Sequence, residues 1–314
     1  MLKNFSPKAL GINGRQSELI ELALTYGFSS MDVDMYEMLR RAQRSTAEDA
    51  TKFVRAALGE GTGRLEQIGG FQLEVDLDAE DGAFTSQLGT LHPLSELAES
   101  LGVTRAYINL PSSTDRMPYH EYFELQRGRI SQIAEVLASR NIKLGVGFDA
   151  TKELANPKQF DFIRNVEGLI AFINAVGSDS VGFIVDTWDW VIGGGAMDQL
   201  SELAGDKIVA VRLGSVADDA DVSKATRKDC VLPELEGSLN HTNVVKQLAA
   251  AGFEGPISPS ASPSRYKGQT RENTVTQAQQ AIDGICSAAG LEVKPLPMEL
   301  IDEDAMNEAA APMS

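Results

Sequence analysis

The most constraining feature of this sequence is a regular alternation of short apolar segments with longer amphipathic ones. The intervening segments carry apolar residues at three- and four-residue spacing, as at Ile130, Ile133 and Leu137, which is typical of helices packing one face on a sheet. Eight strand–helix units in 314 residues predict a parallel (β/α)₈ barrel of the α/β class. The eight predicted strands are ALGIN (9–13), SMDVDM (30–35), FQLEVDL (71–77), RAYINLP (105–111), KLGVGFD (143–149), VGFIVDT (181–187), IVAVRLG (208–214) and PISPSAS (256–262).

An open, doubly wound sheet is the alternative arrangement for the same alternation. Its dinucleotide-binding members carry GxGxxG directly after the first strand, and this chain has GINGRQSE there instead. The three glycines at 193–195 are not followed by Gly-Lys-Ser/Thr, so they do not form a phosphate-binding loop. The barrel is therefore the favoured fold.

Composition limits the classes of function. A formal net charge of −17 opposes nucleic-acid binding, which depends on Lys and Arg neutralising phosphates. No apolar run approaches the roughly 20 residues that span a bilayer, and the first residues contain no apolar signal segment. Cys230 and Cys286 lack the spacing of a disulfide framework or a thiolate metal site. We expect a cytoplasmic protein without membrane contacts.

The charge is not evenly distributed along the chain. Residues 291–314 hold six acidic residues against Lys294 alone, together with several prolines. Such a composition is typical of a mobile terminal segment. We therefore expect a single barrel over residues 1–290 and an acidic tail over residues 291–314.

Ionisable side chains follow several of the predicted strands, at the ends where the chemistry of such barrels gathers. Asp149 follows the fifth strand, and Asp186 and Asp189 follow the sixth. His120 lies in the long loop after the fourth strand, from which it can line the barrel mouth. Carboxylates that share one mouth can act as acid and base, so these four residues are the catalytic candidates. The alternative is that the acids cap helices or lie in solvated loops. The remaining histidines, His92 and His241, are predicted to be surface or capping residues.

The second half of the chain contains five segments, IKLGVGFDATKEL, VGFIVDTWDWVIGGG, DKIVAVRLGSV, VLPELEGSLN and GFEGPISPSAS. In their order and spacing they resemble the xylose isomerase-like TIM barrels, the sugar phosphate isomerase/epimerase group. The resemblance is best over residues 141–265 and continues more weakly from residue 8. It implies a (β/α)₈ fold, a carbohydrate or polyol substrate, and a divalent metal held by Glu, Asp, His and Glu at the ends of strands five to eight.

Three of the four metal-ligand positions implied by the resemblance are substituted here. Gly147, Arg212 and Ser260 stand where the family has Glu, His and Glu, and only Asp186 is retained. Arginine is a permanent cation, so Asp186 and Arg212 sum to zero charge without a metal. We therefore expect no metal and no other cofactor. We also expect an ion pair between Asp186 and Arg212, with Asp189 nearer the mouth and solvent.

Two functions of different class follow. The first is a divergent, non-catalytic barrel that has lost its metal site and binds a small sugar, polyol or sugar phosphate. The second is an active sugar isomerase or epimerase with rearranged, metal-independent acid/base residues. The missing ligands favour the first function. Nothing in the sequence indicates an oligomeric state.

Several residues around the expected mouth are candidates for contacts with such a ligand. Glu236, in VLPELEG, matches the last Glu-Gly of a Pro-Gly-Glu-Gly segment that many family members carry. The cations that follow the eighth strand occupy the position where such barrels often bind phosphate, although they can equally pair with acids such as Glu272. The ligand-binding candidates are Arg212, Trp188, Glu236, Arg265, Lys267 and Arg271.

Overall fold

Eight parallel strands form a closed ring at the centre of the protein. The computed structural model describes residues 1–59, 63–154, 156–235, 237 and 239–293. The third strand is divided at Gly69 and Gly70, and its two halves pair with different neighbours, which closes the ring. The strands are β1 (Leu2–Phe5), β2 (Ser30–Met31), β3 (Gln67–Ile68 and Phe71–Gln72), β4 (Arg105–Asn109), β5 (Lys143–Gly147), β6 (Val181–Asp186), β7 (Ile208–Leu213) and β8 (Pro256–Pro259).

Every strand is followed by at least one helix, as a (β/α)₈ barrel requires. The helices pack their buried faces against the sheet, and α4 tolerates Pro93 in its interior. Their bounds are α1 (Gln16–Thr25), α2 (Met35–Ala42), α3 (Ala47–Ala57), α4 (Asp81–Glu99), α5 (Tyr119–Ala138), α6 (Val166–Val176), α7 (Thr187–Ile192), α8 (Met197–Ser201), α9 (His241–Ala250) and α10 (Arg271–Ala288). The (β/α)₈ fold predicted from the sequence is confirmed.

The first strand is the one that the sequence analysis placed wrongly. It was expected at residues 9–13, but the structure has it at Leu2–Phe5, followed by a 3₁₀ turn at Pro7–Leu10. Polar residues hide this strand in the sequence. Lys3 forms an ion pair with Asp283 at 2.8 Å, and Asn4 is buried, where it hydrogen-bonds across to β2 and β8.

Two short antiparallel strand pairs lie in the loops at the barrel mouth. One joins Ser113–Thr114 to Phe160–Asp161. The other joins Ser215–Val216 to Cys230–Val231, which folds the chain between β7 and α9 into a hairpin-like excursion. The excursion contains a 3₁₀ turn at Arg227–Asp229, which lies against the ends of β6 and β8. This loop therefore places side chains where a ligand of the barrel would lie.

The interior of the ring is partly apolar and partly polar. Tyr107, Ile184, Val209 and Ala210 form an apolar cluster separate from the larger core between sheet and helices. A break in the pairing register of β7 with β6, between Ile208 and Ala210, precedes Arg212 on that strand.

Some expectations concern parts of the chain beyond this description. Most of the predicted acidic tail, residues 294–314, lies outside the described residues, as does Glu236. Within the described ranges, no helix is long and apolar enough to cross a membrane.

Candidate functional site

The two carboxylates at the end of β6 are explained by the way the strand joins α7. Asp186 is both the last residue of the strand and the N-cap of the helix, and its carboxylate accepts the N–H groups of Trp188 (3.0 Å) and Asp189 (3.3 Å). An Asp side chain at an N-cap satisfies helix N–H groups that have no other partner. The second carboxylate, Asp189, follows within the first turn of the helix.

Arg227 binds both of these carboxylates. Its Nη2 lies 2.5 Å from Asp186 Oδ2, and its Nη1 lies 3.1 Å from Asp189 Oδ2. The guanidinium also stacks over the ring of Trp188 at 5.0 Å, a cation–π arrangement. The side chain of Arg227 remains 39% exposed, whereas both carboxylates are buried beneath it. Arg227 therefore closes the end of β6 from the solvent side.

The predicted ion pair between Asp186 and Arg212 is wrong. The two residues are direct neighbours in the register of β6 and β7, yet Arg212 forms no ion pair in the described part of the chain. Arg227 takes that role because the excursion after β7 brings its guanidinium across the mouth. No local sequence pattern indicates this contact, since it joins residues 41 positions apart through an irregular loop.

The prediction that Asp189 lies near solvent is also wrong. Asp189 is 5% exposed, and its Oδ1 accepts the N–H of Ala150 at 3.0 Å. Burial and the neighbouring charge of Asp186 raise the pKa of Asp189 to about 7, against the opposing charge of Arg227. Burial also acts to raise the pKa of Asp186. There the charge and hydrogen bonds of Arg227 outweigh it and hold the pKa below its usual value.

The side chains at the metal position of the resembled family do not fit a divalent ion. At Gly147, an added Cβ would meet Asn109 Oδ1 at 2.6 Å, so the place of the strand-five glutamate is occupied by Asn109. Ser260 offers only a hydroxyl, which lies 3.4 Å from Arg227 Nη2. Among the described residues, no group of three or more His, Cys, Asp or Glu side chains is placed to hold a metal. The donor set that remains is two carboxylates already bound to a guanidinium.

A cavity of about 390 Å³ opens at the mouth beside this cluster. The ends of five strands contribute to its wall, through Ser6, Asp32, Gln72, Tyr107 and Arg212. Its volume lies within the usual range for small-molecule sites, roughly 300–1,000 Å³. The cavity is therefore a candidate ligand site.

Asp32 lines this cavity and was not among the site residues predicted from the sequence. It follows β2, and its Oδ1 accepts from Asn4 Nδ2 at 3.1 Å. Burial raises its pKa, and the hydrogen bond from Ser6 and the charge of Arg212 oppose that shift only in part. The segment SMDVDM contains a signal for this residue, because an acid stands there at a strand end, as Asp186 does.

The other catalytic candidates lie apart from the cavity wall. Asp149 is half-buried, and its carboxylate accepts the N–H of Thr151 at 2.9 Å, a local turn contact. His120 is exposed on the first turn of α5, with its ring edge-on to Tyr119. Trp188 is fully buried beneath Arg227.

His241 was predicted to be a surface or capping residue, but it is fully buried at the start of α9, where Asn240 is the N-cap. Its Nδ1 lies 2.8 Å from the carbonyl oxygen of Glu234, and its Nε2 lies 3.1 Å from Thr187 Oγ1. Burial lowers the pKa of the imidazole. His241 thus ties the loop after β7 to the beginning of α7. The expectation of an exposed residue is wrong because long-range packing, which the local sequence does not show, covers the ring.

The cations after β8 are largely engaged with acids. Arg265 binds Asp219 at 3.0 Å and Asp229 at 2.9 Å. Arg271 binds Glu18 at 2.9 Å and Glu272 at 2.8 Å. Lys267 is exposed and forms no ion pair within the described ranges. These contacts correspond to the alternative weighed from the sequence, in which the cations pair with neighbouring acids.

Comparisons with known proteins extend the resemblance to nearly the whole chain. The family model for the xylose isomerase-like TIM barrel matches residues 20–287. No curated protein matches the sequence.

Solved structures share this architecture at low sequence identity. A xylose isomerase domain protein from Alicyclobacillus acidocaldarius superposes with a TM-score of 0.79 at 20% identity, covering 92% of this chain and 99% of that one. An IOLI protein described with a zinc atom gives 0.71 at 15% identity, with 92% and 98% covered. D-psicose 3-epimerase with D-tagatose, from Clostridium cellulolyticum H10, gives 0.67 at 12% identity, with 92% and 99% covered. At these identities the likeness concerns the fold.

Proposed function

Because this chain belongs to the xylose isomerase-like TIM barrel family, we propose that it is a divergent, non-catalytic member that binds a small polar, sugar-like ligand without a divalent metal. The observation that carries the proposal is the position of Arg227. Its guanidinium lies against Asp186, the one ligand of the family set that this sequence retains, and against Asp189. A tethered cation there occupies the space and satisfies the charge that a metal would otherwise require.

The charges of the site support the same proposal. Asp186, Asp189 and Arg227 sum to −1 when both acids are ionised, and to zero when Asp189 carries the proton that its raised pKa favours near neutrality. A divalent ion binding to this set would have to displace a guanidinium held by two carboxylates. Charge-assisted hydrogen bonds of this kind are among the stronger polar contacts in proteins.

The cavity beside the cluster supplies the ligand site. Its wall combines an amide (Gln72), a phenol (Tyr107), a carboxyl (Asp32) and a guanidinium (Arg212) with apolar side chains such as Ile12. A wall that mixes apolar side chains with polar and charged groups can bind and orient a small polar molecule. Sugars and polyols present hydroxyl groups that both donate and accept, which suits this mixture. Ketohexoses such as D-tagatose, named with the related epimerase structure, are suitable first probes.

An active, metal-independent isomerase or epimerase is the second candidate. Asp32 favours it, because a half-buried carboxyl with a raised pKa at the edge of a cavity is suited to proton transfer. Asp186 and Asp189 are less suited than the sequence suggested, since Arg227 covers both. In this alternative, Asp32 takes the part of acid or base, and Asp149 and His120 remain candidates only if a loop rearrangement brings them to the ligand.

Elemental analysis combined with a ligand screen tests the proposal. Purified protein should contain far less than one tightly held Mn, Mg, Zn or Co per chain, and D-tagatose, D-fructose or sorbitol should raise its thermal midpoint. About one equivalent of a divalent metal would refute the metal-free part. Interconversion of ketohexoses by metal-free protein, with loss of that activity in Asp32→Asn, would favour the second candidate over the first.

A further inference from the structure

The cavity is a local exception to the strongly acidic character of the molecule. The chain as a whole carries a formal charge of −17, yet the cavity wall holds four Lys and Arg side chains against three Asp and Glu side chains. The ends of the strands and the first helices bring these cations together. Such a wall favours a ligand with negative charge over a neutral one.

The acids of the wall are largely engaged with the protein itself. Asp34 accepts the N–H of Glu37 at 2.8 Å, as the N-cap of α2. Glu37 in turn binds Arg41 at 2.8 Å. Asp32 accepts from Asn4, and burial raises its pKa, which lessens the repulsion that an anion in the cavity would meet.

Arg212 is the cation at the strand ends that forms no ion pair with a described residue, although it lies near enough to Asp32 and Asp186 for their charges to interact. The neighbouring acid on β6, Asp186, is already bound to Arg227, and the described residues offer Arg212 no ion pair. Its guanidinium stacks over the ring of Tyr107 at 5.7 Å, and the hydroxyl of Tyr107 donates to the carbonyl of Gly69 at 2.9 Å, which fixes the ring. The stacking orients a planar fork of N–H donors beside the cavity.

We propose that the ligand of this cavity is a small polyhydroxy carboxylic acid, a sugar acid whose carboxylate binds the guanidinium of Arg212. The inference rests on the proposed function and narrows its ligand class. One guanidinium balances one negative charge and matches a carboxylate through two parallel hydrogen bonds. A phosphate dianion would need a second cation at the same depth, whereas Lys8 and Arg15 are exposed at the rim.

Calorimetric titration with matched probes tests this assignment. D-Gluconate, D-sorbitol and D-sorbitol 6-phosphate share one carbon chain and differ at a terminal group. We expect D-gluconate to bind at least about tenfold more tightly than D-sorbitol, because a charged hydrogen bond stabilises binding by more than a neutral one.

Variants of Arg212 separate the guanidinium from the general charge of the protein. Arg212→Gln should weaken D-gluconate about 10- to 100-fold while changing D-sorbitol less than about threefold, and Arg212→Lys should recover part of the loss. Arg127→Gln removes an exposed arginine of α5 that pairs with Glu124, and it should leave both affinities unchanged. Circular dichroism of each variant confirms that the barrel is folded.

The outcomes distinguish this inference from the function on which it rests. If D-sorbitol or neutral sugars bind and D-gluconate binds no better, the sugar-acid assignment is overturned and the proposed function stands. Stronger binding of the 6-phosphate, or an unchanged preference for D-gluconate in Arg212→Gln, would also overturn it. If none of these probes nor any neutral sugar binds, both proposals fail.

Discussion

At the scale of single residues, two arginines at the barrel mouth differ in their ion pairing. Arg227 is bound to two buried carboxylates, and Arg212 has an aromatic ring beneath it and no acid partner in the described chain. The same residue type therefore serves stability at one position and is available for a ligand at the other. Substitutions of the two arginines should therefore change the stability of the protein by different amounts.

We predict that Arg227→Ala destabilises the protein by about 2 kcal/mol. Removing one partner of a buried ion pair typically costs about 3–5 kcal/mol, and the partial exposure of Arg227 reduces that figure because water reaches the vacated space. Arg212→Ala should cost clearly less, since it leaves no bound carboxylate without its partner. Urea unfolding at pH 7 measures both. Equal losses, or a stable Arg227→Ala, would contradict the described pairing.

The raised pKa of Asp189 predicts a dependence of stability on pH. The native state holds this proton up to about pH 7, whereas the unfolded chain releases it near 3.8, the ordinary pKa of an aspartate side chain. Between those values the native state binds more protons, so this group's contribution is complete below about pH 4 and is lost as the pH rises through 7. Asp189→Asn should remove that part of the slope.

The measurement is the free energy of unfolding of parent and Asp189→Asn at pH 5 and pH 7.5. The parent should lose more stability over this interval than the variant. Asp186 is not expected to contribute there, because its lowered pKa confines its effect to pH values below 3.8. Parallel pH profiles for the two proteins would show that Asp189 is ionised throughout.

At the scale of elements, the strands and helices could be predicted because each carries its own local pattern. Seven of the eight predicted strands overlap a strand of the barrel, and glycines with positive φ follow the ends of three helices, at Gly27, Gly102 and Gly252. The remaining strand of the barrel, β1, was not predicted because one of its buried side chains, Asn4, is polar. Of the candidate site, only the residues that stand at the ends of strands could be predicted. The contact of Arg227 depends on a loop path that no local pattern encodes.

Two glycine-to-alanine changes should test the packing of the elements. In β6, a Cβ at Gly182 would lie far inside contact distance of the backbone carbonyl of Lys207, so Gly182→Ala should destabilise by about 1–3 kcal/mol. In α10, Gly284 is exposed and has nothing within 4 Å of its Cβ position. Gly284→Ala should therefore stabilise by about 0.5–1 kcal/mol.

Thermal or urea unfolding of the two variants supplies the comparison. Because the substitution is the same, its effect on the unfolded chain is similar, and the difference in sign reports the native environment. If Gly182→Ala left the free energy of unfolding unchanged, β6 and β7 would be able to move apart without a loss of stability. The packing at Gly182 would then not fix the position of β6.

At the scale of the whole molecule, the barrel fold is predictable because it depends on a strand–helix pattern repeated along the chain, whereas the family was indicated by the resemblance of particular segments within residues 141–265. The site is less predictable because it depends on which residues meet across the ring. Asp32 on the second unit, Arg212 on the seventh and Tyr107 on the fourth share one cavity, although they lie far apart in the sequence. Only the order of the strands around the barrel brings them together.

The tether of Arg227 has a consequence for how this molecule responds to its surroundings. A barrel that holds a dissociable ion gains stability according to the concentration of that ion, and it loses the gain when the ion becomes scarce. Here the positive charge is part of the polypeptide, so its effective concentration at the two carboxylates is set by the loop and does not change with supply. Under the proposed function, the charge that balances these two carboxylates is therefore fixed by the sequence and does not vary with the supply of a free ion.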